Sequence, residues 1–312
     1  MVDMEIKKAS GETEEYKPEK LRESLERVGA RSDLVDKIMK KADKQLRRDP
    51  HTDPLFNKIR KELASTDPVA GMRYGLKRSL FKLGPFGHPF EYFFADVLTA
   101  HGYQTQVGMV VDGHCVPHEI DVIAERDNER IMVESKFHTR PGIRSRLKDS
   151  LYIHARYLDV RDEHPENAKE CFLVEPTTKE ELEKSTTHVV HERAYSQGGG
   201  HAERGFTSGM LVTNTKVTFD GRMYAACSGL RVVSWRYPSD ESLEHLIESK
   251  RVYPVTIFSE LSKEALQALF DHQIYTIQRF LEVPPNKLAQ GLKLSRRQVS
   301  FLQDAARMLV EA

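Results

Sequence analysis

Residues 118–137, HEIDVIAERDNERIMVESKF, constrain this chain more than any other stretch. Two apolar-rich segments, 120–124 and 131–137, flank a polar turn at Asp127-Asn128, which is the pattern of a β-hairpin. Pairing the strands about that turn sets Asp121 opposite Glu134, where cross-strand Cβ atoms lie about 5 Å apart. Two carboxylates that close repel unless a cation lies between them. Mg²⁺ takes such oxygen ligands and keeps positions open for water and phosphate. Lys136 follows Glu134 by two residues, the period of a strand, and so shares its face. A lysine there positions a water or neutralises the charge of a phosphorane. The plain alternative is a solvated face, since 30% of the residues are charged. Against it, Glu134 and Lys136 stand in an otherwise apolar strand, where charged groups are rarely buried without a partner or a metal. The hairpin therefore reads as a phosphodiester-cleaving centre.

The residues upstream extend this reading. Residues 86–98, FGHPFEYFFADVL, read as a helix with Phe90, Phe93, Phe94, Val97 and Leu98 on its apolar side, ended by Gly102-Tyr103. A strand is expected over 104–111. A helix carrying Phe90-Glu91, then Gly102-Tyr103, a strand, Asp121 and Glu134-Ser135-Lys136 resembles the PD-(D/E)xK nuclease superfamily, above all the Mrr-like type IV restriction endonucleases. The resemblance covers roughly residues 86–160. It implies that Glu91 joins the metal site or orients its water. It also implies that Asp121 and Glu134 bind Mg²⁺ (or Mn²⁺) and that Lys136 is the catalytic lysine. Pro117, His118 and Glu119 stand where the family often has glycines, and His118 and Glu119 bear on metal preference.

The net charge is zero and gives no overall basicity to draw DNA, so any contact must be local. Residues 138–148, HTRPGIRSRLK, supply one: Arg140, Arg144, Arg146 and Lys148 follow the Glu-Ser-Lys triplet with no acid among them. A cation cluster beside a metal centre is placed to hold DNA phosphates. A solvated basic loop is the bland reading. Cys115, Cys171 and Cys227 have no CxxC spacing, which argues against a disulfide framework and a cysteine zinc site. The first twenty residues are charged throughout and no run of 18 apolar residues occurs, so neither a signal peptide nor a membrane span is expected. The expected location is cytoplasmic.

The N-terminal region reads as a hairpin over 4–16 about Ser10-Gly11-Glu12, then four helices beginning at Pro18, at Ser32 or Asp33, at Asp53-Pro54 and at Asp67-Pro68. A hairpin followed by four helices in about 83 residues resembles the ATP-cone, the nucleotide-binding regulatory module of ribonucleotide reductases. Ile6, Lys8, Gly11, Tyr16 and Lys20 match its pattern, and Lys7 lies on the other side of Lys8. The resemblance implies ATP or dATP as a regulatory ligand held by Lys7, Lys8, Gly11, Tyr16 and Lys20, without hydrolysis. Ala9 stands where that family has an arginine.

Residues 149–160 read as a core helix whose Tyr152, His154, Arg156 and Tyr157 reach DNA or pack. Residues 161–205 read as an irregular insertion; its His188, His191 and His201 suggest zinc only weakly. Strands are expected over 208–218 and 222–237 around Phe219-Asp220-Gly221, then a helix from Pro238-Ser239 to about Lys250. The helical tail resembles tandem helix-hairpin-helix modules, without their hairpin glycine. The expected fold class is α/β, in an α+β multidomain chain: an ATP-cone at 1–83, a nuclease core with a mixed central sheet at 84–253, and a small helical domain at 254–312. The function expected is a Mg²⁺-dependent restriction-type DNA endonuclease responsive to ATP or dATP and forming a homo-oligomer. The alternative is a nucleotide-sensing DNA-binding protein with little or no cleavage. A regulator of ribonucleotide reduction is a poorer third reading, since no reductase catalytic region is present.

Overall fold

The computed structural model describes residues 4–84, 87–161 and 205–311. Phe86, most of the insertion expected at 161–205, and His188, His191 and His201 lie outside the described residues. The fold is mixed α/β, with twelve α-helices among the described residues around a mixed central sheet.

The chain opens with β1 (Glu5–Lys7) and β2 (Thr13–Glu15), an antiparallel hairpin. Gly11 takes φ +85° in its turn, a conformation that glycine adopts without steric cost. Four helices follow: α1 (Pro18–Arg27), α2 (Ser32–Leu46), α3 (Thr52–Thr66) and α4 (Pro68–Leu80). Prolines start α1 and α4, and Asp67 caps α4 by accepting the Ala70 amide at 2.9 Å. These elements bury their own core, including Ile6, Leu25, Val35, Ile38, Leu46 and Leu63.

Next come α5 (His88–Ala100), β3 (Gln104–Asp112), β4 (Pro117–Arg126) and β5 (Glu129–Ser135). A two-residue strand β6 (Arg144–Ser145) precedes α6 (Leu147–Val160). Beyond residue 204 lie β7 (Ser208–Val212), β8 (Lys216–Val217), α7 (Phe219–Ser228), β9 (Arg231–Val233) and α8 (Leu243–Lys250). The sheet order is β3-β4-β5-β7-β9; the first three strands are antiparallel, while β7 and β9 join in parallel.

The strand expected over 222–237 is helix as far as Ser228, and only Arg231–Val233 of it is strand. Thr218 caps α7 through the Gly221 amide at 3.3 Å, and Gly229 ends it at φ +73°. The apolar run before Phe219 reads as strand, but a parallel pair such as β7 and β9 needs a crossover, which α7 supplies. The helix expected from Pro238 likewise starts later, at Leu243, capped by Ser242.

Both faces of the sheet are covered. Val122, Ala124, Ile131, Val133, Met210 and Val212 face one core, Ile123, Met132 and Leu211 the other. The first core holds α4, α5 and the tail helices α9 (Lys263–Asp271), α10 (Ile277–Glu282), α11 (Pro285–Leu292) and α12 (Arg296–Glu311). The second is closed by α6 and α7.

Candidate active site

The β4–β5 ladder runs from Arg126↔Glu129 to Val122↔Val133, the register of a turn at Asp127-Asn128. Asp127 supports that turn at φ +53°. Asp121 and Glu134 come next along the two strands, and there the ladder stops. Asp121 Oδ2 accepts the Ser135 amide at 2.6 Å, and the Lys136 amide turns to the Val212 carbonyl of β7.

Glu134 is buried within the sheet. One oxygen, Oε2, receives Arg156 at 2.6 Å, while Oε1 is buried and has no hydrogen-bond partner. Burial first, and then the Asp121 charge, raise its pKa to about 8; Arg156 and Lys136 act against them. Glu91, brought from α5, is also buried. Burial and then Asp121 raise its pKa above the ordinary carboxylate range, opposed by His88, whose Nδ1 lies 3.2 Å from its Oε2. Glu91, Asp121 and Glu134 thus act on one another electrostatically, although they come from a helix and two strands. Lys136 is half-exposed, its Nζ 3.6 Å from Asp149 Oδ1 at the start of α6.

Among the described residues no group of three or more His, Cys, Asp or Glu side chains stands ready to hold a metal. The physical reason is visible: Glu134 is turned to Arg156, and Glu91 to His88. The donor set nonetheless fits a hard divalent cation. It consists of carboxylates, two of them hold their protons abnormally tightly, and one buried oxygen is orphaned.

Arg156, expected with Tyr152, His154 and Tyr157 to reach DNA or pack, instead joins the site by its contact with Glu134. Its guanidinium also donates to the Glu119 carbonyl, and its Nε lies 3.4 Å from His118 Nδ1. Arginine can only donate, so His118 Nδ1 accepts and the ring proton sits on Nε2, facing Asp159 Oδ2 at 2.7 Å. Asp159 in turn accepts the amides of Cys115 and Val116. Asp159, His118, Arg156 and Glu134 therefore form a chain of contacts that holds a cation against the acid. The sequence signals were His118, already noted beside Asp121, and the polar residues of α6. Which of those points inward depends on how α6 packs.

The other expected residues scatter. Arg140, Arg144, Arg146 and Lys148 are exposed, Arg144 in β6 and Lys148 in the first turn of α6. Lys8 and Lys20 both reach Glu14, at 2.6 and 3.4 Å. Tyr16 donates to Asp43 Oδ1 at 3.0 Å and packs against the N-terminal core. Gly11 shapes the hairpin tip, and Lys7 pairs its amide with the Pro50 carbonyl. No helix of the described residues is long and apolar enough to cross a membrane. Cys115 and Cys227 are exposed and form no disulfide among the described residues.

No family model matches the chain. An uncharacterized protein of Archaeoglobus fulgidus is 35% identical over 175 residues, which span 56% of this chain and 76% of that protein. The crystal structure of a protein of unknown function, AF1548, superposes with a TM-score of 0.50 at 30% identity, covering 72% of this chain and 98% of that one.

Proposed function

We propose that this chain, which belongs to the family of the Archaeoglobus fulgidus protein, is a metal-dependent endodeoxyribonuclease. The observation that carries the reading is the buried Glu134. It has an orphaned oxygen, stands beside Asp121 and Glu91, and is followed two residues later by Lys136. A carboxylate is kept in such a place when a cation or a reaction uses it.

Glu91, Asp121 and Glu134 would hold the metal, and the superfamily that the sequence resembles points to Mg²⁺ or Mn²⁺. When bound, the metal acidifies a water and screens the charge of the phosphate under attack. Lys136 would orient a water for in-line attack on phosphorus, the opposite ester oxygen leaving as the new P–O bond forms, and its ammonium would offset the negative charge on the phosphorane oxygens. Asp149, 3.6 Å from the Lys136 ammonium, fixes where that charge stands. Arg140, Arg144, Arg146 and Lys148 follow β5 and are exposed to receive the flanking phosphates. The resemblance to the Mrr-like enzymes suggests restriction of DNA as the setting, and the N-terminal hairpin suggests ATP or dATP as a regulator.

The Arg156–Glu134 ion pair favours a second reading. A guanidinium already supplies the cation that Glu134 needs, as a nucleotide-sensing DNA-binding protein with little cleavage would have it. Supercoiled plasmid incubated with Mg²⁺ or Mn²⁺, with and without ATP and dATP, separates the two. Nicking that is lost in Asp121→Asn supports the nuclease. DNA binding without nicking under every condition overturns it.

A further inference from the structure

The tip of the N-terminal hairpin meets the basic segment after β5, although more than a hundred residues separate them in sequence. Gly142, at φ +90°, lies so near Ser10 that a Cβ at 142 would stand 2.5 Å from the Ser10 Cβ. Ser10 and Glu12 from the hairpin, with Arg140, Arg144, Arg146 and Thr218 from the body of the chain, line a cleft of about 610 Å³. Three guanidinium groups share this cleft with a single carboxylate. Arg144 is 4.0 Å from Glu12. Among the described residues neither Arg140 nor Arg146 has an ion-pair partner.

Positive charge accumulates beyond the cleft as well. β6 pairs in parallel with β8, which sets Lys216 beside Arg144. Burial depresses the nearby Lys77 ammonium to a pKa of about 8, and the charges of Arg236, Lys216 and Lys8 add to the effect. Lys8, paired with Glu14, belongs to the N-terminal hairpin region, and Lys216 and Arg236, the latter paired with Glu244, to the sheet body, so charged groups from both parts of the chain meet here. The exposed Arg140, Arg144 and Arg146, with Lys216 beside Arg144, hold positive charge that an anion would offset. A chain of phosphates suits it: it brings several charges at once, and arginine forks match phosphate oxygens in pairs.

We propose that this junction is a binding site for an oligophosphate, gripped by Arg140, Arg144 and Arg146 and closed by the Ser10–Glu12 tip. The inference rests on the nuclease reading in one respect only: the same arginines would otherwise hold DNA phosphates, so a bound nucleoside triphosphate and a DNA backbone exclude each other there. Nucleotide then regulates cleavage by occupying the DNA grip, and Glu12 marks the position the phosphate takes.

The test measures binding to the full-length chain in EDTA, so that cleavage plays no part. Inorganic tripolyphosphate, ATP, adenosine and a short DNA duplex are titrated separately, then tripolyphosphate against bound duplex. Tripolyphosphate and ATP are expected to bind alike and adenosine not at all. Arg144→Ala and Arg146→Ala should each weaken both by about tenfold or more, the scale of a lost charge-assisted hydrogen bond. Gly142→Val, which forces the hairpin tip away, should weaken them too. Tripolyphosphate should displace the duplex. If only the duplex binds, the arginines serve DNA alone and the proposal is overturned. Triphosphate binding that ignores both arginine variants overturns the proposal, as does failure of every phosphate ligand to bind. A protein that binds triphosphate here yet never cuts DNA would refute the nuclease and leave this site intact.

Discussion

Two hairpins of this molecule carry charged residues, and they treat them in opposite ways. β1–β2 stands apart from the central sheet. There Glu14 meets Lys8 and Lys20; burial tends to raise its pKa, but the two ammonium groups outweigh it and hold it below the ordinary range. β4–β5 lies in the middle of a covered sheet. There Glu134 meets Asp121 and Glu91, and its pKa climbs to about 8 with one oxygen left unbonded. The residue type is the same, and the surroundings decide whether a carboxylate rests or is held ready. The contrast teaches where to look for chemistry: not at the greatest density of charge, but where charge is buried with its own kind.

The largest expected effect lies in the buried hairpin. Glu134→Gln or Asp121→Asn should reduce cleavage by about 10³-fold, since each removes a charge that the reaction needs in place. The Gln variant also tests the electrostatics. The folded-state pKa of Glu134 is raised, so the folded protein retains a proton that the unfolded chain releases. Metal-free wild type should therefore lose stability as pH rises from the ordinary carboxylate range to about 8, and be flat above it. Chemical denaturation across that window should show the slope in wild type and a weaker one in Glu134→Gln; equal slopes would mean Glu134 is not the titrating group.

Next in size is Arg156→Gln. Above about pH 8, where wild-type Glu134 is ionised, removing one partner of the buried ion pair leaves the other uncompensated, and a loss of about 3 kcal/mol in metal-free stability is expected there. Excess Mn²⁺ should recover more of that loss than it adds to wild type, because a ligand that binds only the folded state stabilises it. No difference in the Mn²⁺ response would show that metal and guanidinium do not share a place. Lys136→Ala comes third: the single-turnover rate should fall by roughly 10²-fold while duplex affinity holds. A variant that loses affinity but cuts bound DNA normally would make Lys136 a phosphate anchor. The exposed hairpin should give the smallest change. Glu14→Gln is expected to alter stability by less than about 1 kcal/mol, as exposed ion pairs do; a larger loss in a thermal melt would erase the contrast.

What was legible in the sequence follows the same division. The register of β4–β5 could be read from a polar turn and two apolar runs, because strand pairing across a tight turn is local. The starts of α1 and α4 could be read from their prolines. α7 could not, since its signals, Thr218 and Gly229, sit only at its ends and it lies between true strands on either side. The Arg156–Glu134 pair and the Ser10–Gly142 approach were out of reach for another reason. Each depends on the packing of segments far apart in the chain, and no spacing encodes that.

The way the tail shares a core with α5 bears on how the site comes into being in time. α5, which carries Glu91, is held by Arg279 on Asp96, by Tyr275 stacked on Tyr92 at 4.9 Å, and by Thr276. α4 is tied by Thr256 to the Ser79 carbonyl and by Arg73 to Glu248. These partners are separated by 175 to 183 residues. Contacts that distant form late, because the closure entropy comes due before they give any return. On a ribosome, Asp121 and Glu134 emerge and pair while the residues that clamp the Glu91 helix are still unsynthesised. The acid trio is thus fixed last, by the arrival of the tail, and a chain interrupted before residue 256 would carry two of its acids on a formed hairpin and the third on a helix that packs on the sheet but lacks its tail clamps.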